Sequence, residues 1–114
     1  MKKLILEVSG VVEAPPAAVL RELNASIPDH GTTERTATGL SVQGGWWYRG
    51  EWHAEPYGTG TLVVHRVYNV ATVARWGVPL ANRLFIGYER TTRESFADGL
   101  RKIANRLNTS ARLK

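Results

Sequence analysis

Trp46-Trp47-Tyr48-Arg49-Gly50-Glu51-Trp52-His53-Ala54-Glu55, then Pro56-Tyr57-Gly58-Thr59-Gly60, then Thr61-Leu62-Val63-Val64-His65-Arg66-Val67-Tyr68, reads as two strands around a turn. In the first part Trp46, Tyr48, Gly50, Trp52 and Ala54 fall on one side, and Trp47, Arg49, Glu51, His53 and Glu55 on the other. Period-two alternation marks a half-buried strand, because successive side chains leave opposite faces of the pleat. Residues 56–60 are turn-forming by composition, and residues 61–71 alternate again. So short a connection joins antiparallel neighbours. Setting Glu55 opposite Thr61 places Trp52 opposite Val64, Gly50 opposite Arg66, Tyr48 opposite Tyr68 and Trp46 opposite Val70. One face of the hairpin then carries Trp46, Tyr48, Trp52, Ala54, Leu62, Val64, Tyr68 and Val70. That apolar, aromatic face requires a cover.

The rest of the chain supplies one. Residues 4–13 read as a strand with Leu4, Leu6, Val8 and Val12 on one side. Pro15 and Pro16 end it and suit the first turn of a helix over residues 17–24, with Val19, Leu20 and Leu23 inward. Pro28 and Gly31 punctuate a connection to a threonine-rich edge strand over residues 32–38, and a strand over residues 40–43 precedes Gly44-Gly45. After the hairpin the period lengthens. Pro79 opens a helix at Leu80 with Leu84, Phe85 and Tyr88 apolar, and Thr91 or Thr92 caps a further helix. In that helix Phe96, Leu100, Ile103 and Leu107 recur at helical spacing on an otherwise charged surface. Arg101, Lys102 and Arg106 complement its dipole. The expected fold class is α+β: a curved antiparallel sheet packed around a long C-terminal helix, as a single domain over residues 1–114.

Composition bounds the function. The chain has 114 residues, 43% hydrophobic and 22% charged, in the ordinary globular range. Cysteine is absent, which excludes disulfides, thiolate nucleophiles and sulfur-ligated metals. Lys2-Lys3 before Leu4-Ile5-Leu6 imitates the start of a signal peptide, but Glu7 cuts the apolar run and no small-residue cleavage site follows. No stretch has the length of a transmembrane segment. A cytoplasmic soluble protein is expected. The net charge of +5 comes from basic residues scattered along the chain and clustered from Arg75 onward, without a dense helical stripe, which argues against nucleic acid as a partner.

The catalytic inventory is thin. His30, His53 and His65 are the only histidines. In the register above His65 stands opposite Glu51 on the outer face with His53 diagonal to it, an exposed cross-strand pair rather than a metal site. Ser41, Ser95 and Ser110 lack a nucleophile-elbow context. Neither Gly44-Gly45 nor Gly58-Thr59-Gly60 precedes a helix as a phosphate-cradling loop does. No catalytic residue, metal ligand or cofactor is expected.

Three stretches carry a family resemblance. They are Val11-Val12-Glu13-Ala14-Pro15-Pro16-Ala17-Ala18-Val19, the glycine-turned hairpin from Tyr48 to His65, and residues 94–107 with Phe96, Gly99, Leu100 and Leu107. Together they resemble the START-like or SRPBCC superfamily, helix-grip proteins that include polyketide cyclases, lipid-transfer proteins and the birch-pollen allergen family. Too little chain lies between the first helix and Trp46 for that family's second helix and full strand set, so a smaller sheet is expected. The resemblance implies a cavity between sheet and C-terminal helix for a small hydrophobic or amphipathic molecule. Trp46, Tyr48, Trp52, Val64, Arg66, Tyr68, Phe96 and Leu100 are expected to line it, with Arg66 as a polar anchor. One alternative is a cyclase- or aromatase-like enzyme in which Arg66 and tyrosine hydroxyls polarise a carbonyl. Another is a basic module for nucleic acid, membrane or protein. A monomer or homodimer fits either binding class.

Overall fold

The computed structural model describes residues 3–27, 32–44, 48–69 and 88–114. In order the elements are β1 (Lys3–Val12), α1 (Pro16–Ser26), β2 (Thr32–Arg35), β3 (Gly39–Gly44), β4 (Tyr48–Tyr57), β5 (Gly60–Asn69), α2 (Tyr88–Arg106) and β6 (Ala111–Leu113). The strands form one six-stranded sheet in the order β2-β3-β4-β5-β1-β6, with every pair antiparallel. It is a curved, open sheet, and the fold class is α+β. No helix among the described residues is long and apolar enough to cross a membrane.

The β4–β5 hairpin exists, but its turn is tighter than the composition of residues 56–60 suggested. Gly58-Thr59 alone form it, and Tyr57 pairs with Gly60. Gly58 takes φ +60°, the left-handed conformation that glycine adopts without a Cβ penalty. Pro56 is thereby drawn into the strand opposite Thr61. In a two-residue hairpin the pair next to the closing pair is not hydrogen-bonded, so the Pro56 nitrogen turns away from β5. On that side β3 stops pairing at His53, and no ladder bond is lost.

The tighter turn shifts the register by one residue. Trp52 faces His65, Gly50 faces Val67, Glu51 faces Arg66 and Tyr48 faces Asn69. Because side chains alternate, a one-residue slip exchanges the two faces of a strand. β4 keeps its expected parity, with Ala54 buried in the core and Trp52 and Tyr48 packed against it. β5 inverts: Val63, His65 and Val67 turn inward, while Leu62, Val64, Arg66 and Tyr68 turn outward. A bulge between Leu4 and Leu6 makes a second parity change in β1, leaving Leu4 opposite Tyr68 on the outer face and 48% exposed.

α1 begins one residue before the expected start and ends two after it. Pro15 occupies the cap position and Pro16 the first turn, where its missing N–H costs no helical bond. α1 buries Val19 and Leu23. β2 stops at Arg35, since Thr36 and Gly39 close a loop with the Thr36 amide 2.9 Å from the Gly39 carbonyl. α2 starts before Thr91 and Thr92, so both lie inside the helix and neither caps it. The helix expected to open at Leu80 lies outside the described residues. Phe96, Leu100 and Ile103 are buried against Val8, Val12, Val63 and Val67, as the helical spacing required.

β6 had no counterpart in the sequence reading. It adds to β1, with Val12 opposite Ala111 and Gly10 opposite Leu113. Glu13 fixes this corner. Its carboxylate accepts from Arg112 Nη1 (2.8 Å) and Thr59 Oγ1 (3.0 Å), its carbonyl accepts from Thr109 Oγ1 (2.7 Å), and its amide donates to the Ser110 carbonyl (3.0 Å). The hydrogen bond from Arg112, then that from Thr59, holds the Glu13 carboxyl below the ordinary carboxylate range.

Candidate ligand-binding groove

Between the end of α1, the outer half of α2 and the β4 strand lies an open groove of about 320 Å³. The last turn of α1 presents Leu23 and Ile27, α2 presents Phe96, Leu100 and Ile103, and β4 contributes Trp52. The walls are apolar because α1 and α2 each turn a helical stripe toward the sheet's inner face. Polar groups stand along its length: Ser26 from α1, and Ser95, Lys102 and Arg106 from α2. Arg106 spans the two helices, donating to Ser26 Oγ at 2.8 Å with Glu22 Oε1 at 3.7 Å.

Behind the Trp52 wall sits His65, 5% exposed. Its ring stacks on Trp52 with centroids 4.2 Å apart and planes at 12°, and lies near-parallel to Phe96 at 6.1 Å. His65 Nδ1 is 3.2 Å from the Glu51 carbonyl oxygen, which can only accept, so Nδ1 carries the proton of the neutral ring. Burial pushes the His65 pKa below 6.5, and the Glu51 carbonyl offsets this only in part. The folded state therefore prefers the neutral ring, and the unfolded chain takes up a proton first. The stability this contributes is complete above about pH 6.5 and is lost as pH falls toward the folded pKa. Glu13 acts in a lower window, below the ordinary carboxylate value of 4.5. The urea midpoint of the wild type is expected to fall between pH 7 and pH 5, and His65→Phe to show a smaller fall. Equal falls in the two proteins would place the acid sensitivity elsewhere.

Three of the eight residues expected at a ligand site line this groove: Trp52, Phe96 and Leu100. Tyr48 shares the inner face but lies over Gly50, packed against the core and away from the groove. Trp46 lies outside the described residues. Val64, Arg66 and Tyr68 stand on the opposite face of the sheet, a correction that follows from the shorter turn. Arg66 donates through Nε to Glu7 Oε2 at 2.6 Å, and this hydrogen bond raises its pKa further. It therefore lies outside the groove. His65 makes the reverse error: expected outside, it is interior. Leu23 and Ile103 were readable as inward positions, whereas the groove-facing roles of Ser95, Gly99 and Lys102 carried no sequence signal.

The outer face has its own depression of about 380 Å³, which includes Val64 and Arg66. Its polar groups are largely committed to one another. Arg49 binds Glu51 Oε2 (2.8 Å), Gln43 Oε1 (3.1 Å) and Ser41 Oγ (3.2 Å), and His53 Nε2 lies 3.8 Å from Glu55 Oε2. Among the described residues no group of three or more His, Cys, Asp or Glu is placed to hold a metal ion. Comparison of the chain with protein-family models, with curated proteins and with solved structures gives no match.

Proposed function

We propose that this protein binds a small hydrophobic or amphipathic molecule in the groove between α1, α2 and the inner face of the sheet, as a short helix-grip domain of the START-like kind with α2 as its gripped C-terminal helix. The observation that carries the reading is the open space beside Trp52, walled by Leu23, Phe96, Leu100 and Ile103. Apolar walls with a few polar groups at the rim are the usual composition of a small-molecule site. Burying ~200 Å² of apolar ligand surface contributes about 5 kcal/mol before association costs, enough for a weak complex that polar contacts then tighten.

Native mass spectrometry of freshly purified protein is expected to show a co-purified species that dissociates on activation. Added decanol is expected to shift tryptophan emission in the wild type and to have a much smaller effect in Trp52→Phe. An undiminished response in Trp52→Phe would place the ligand away from this groove.

A further inference from the structure

Ser95, Gly99, Lys102 and Arg106 follow one another at spacings of four, three and four, so they form a single stripe of α2 beside the apolar stripe of Phe96, Leu100 and Ile103. All four face the groove. Glycine is a poor helix former, and inside a helix it usually marks a close neighbour that leaves no room for a Cβ. Gly99 has no such neighbour: a Cβ built there meets nothing within 4 Å. Gly99 is itself exposed, so the missing side chain leaves the rim of the groove open at this point, one turn before the exposed Lys102. No carboxylate among the described residues pairs with Lys102, whereas Arg106 is held at the end of the groove by Ser26 and Glu22. Two cations near a helix C-terminus also offset the helix dipole. That accounts for their sign, but not for their place on the rim of an apolar groove.

We infer that the ligand of this groove is an anionic amphiphile, its apolar tail lying over Gly99 against Trp52 and Phe96 and its acidic head meeting Lys102 and Arg106. This rests on the binding role proposed above and adds the charge of the ligand and the residue that sets the width of the site. A charge-assisted contact to a carboxylate is stronger than a neutral one and gives discrimination between ligands with equal tails.

Decanoate below its micellar concentration and decanol below its solubility limit separate the two claims by titration calorimetry. The wild type is expected to bind decanoate about ten-fold more tightly than decanol, and Lys102→Gln to lose about that factor for decanoate alone. Gly99→Leu is expected to lose both ligands by placing a bulky side chain over the groove. Gly99→Ala, whose added methyl meets open space, is expected to raise the melting temperature, which keeps a folding defect distinguishable from a blocked site. Equal affinities of the wild type for the two probes, with no selective loss in Lys102→Gln, would overturn the anionic head and leave the binding role standing. Binding of neither probe would overturn both. A dimer by sedimentation that Gly99→Leu dissociates would overturn the ligand in favour of a second copy of the chain.

Discussion

Leu100→Asp is expected to abolish cooperative unfolding by circular dichroism, or to lower stability by at least ~4 kcal/mol, a large part of the ~5–15 kcal/mol that holds a domain together. Leu100 is 2% exposed and packs in the cluster that joins α2 to Val8, Val12 and Val63 on the sheet. An aspartate there would bury a charge among groups with no hydrogen bond to offer, or drag α2 off the sheet to reach water. Leu100→Ala, which only removes atoms, is expected to cost ~2–5 kcal/mol and keep a single transition. An unchanged melting curve for Leu100→Asp would mean that α2 does not cover the sheet in solution.

The second large effect lies across the same contact. Gly10 sits on the inner face of β1, where α2 and β6 both close in. A Cβ at Gly10 would collide with Leu100 Cδ1, come within 2.8 Å of the Arg112 carbonyl oxygen and stand 3.5 Å from Phe96. The leucine end can rotate; the backbone carbonyl of β6 cannot move without breaking pairing with β1. Gly10→Val is therefore expected to cost ~3 kcal/mol or more by overpacking, at the upper end of such changes. Gly10→Ala should cost less. Combining Gly10→Ala with Leu100→Ala should destabilise less than the sum of the two singles, since the second change makes room for the first. Strict additivity in urea unfolding would show that the two residues do not touch.

These contacts mark how far the sequence could be read. The α2 stripe was legible because Phe96, Leu100 and Ile103 repeat at helical spacing among charged neighbours, and one face of a helix has only one way to be dry. β4 was legible for the same reason at period two. β5 was not: Leu62, Val64 and Tyr68 on one side balance Val63, His65 and Val67 on the other, so hydrophobicity does not choose the inner face. The choice falls to the turn. There, drawing Pro56 and Tyr57 into the strand moved Arg66 out to Glu7 and His65 in to Trp52. The groove itself depends on where α1 sits relative to α2, a tertiary fact with no local pattern. Gly99 and Lys102 consequently read only as a weak helix position and a dipole-compensating charge.

The strands at the margins of the sheet are its shortest. β2 has four residues and β6 three, against ten in each of β1, β4 and β5. Charged side chains accompany both: Glu34 and Arg35 on β2, and Arg112 on β6 with Lys114 beyond it. A foreign strand adds to a sheet by taking up a row of unpaired amides and carbonyls, and a short charged margin offers few of them. β6 also covers the Gly10–Val12 end of the long β1, taking up part of what would otherwise be an open edge. The short β6 strand thus leaves fewer free backbone groups for a second copy to pair with at that corner of the sheet.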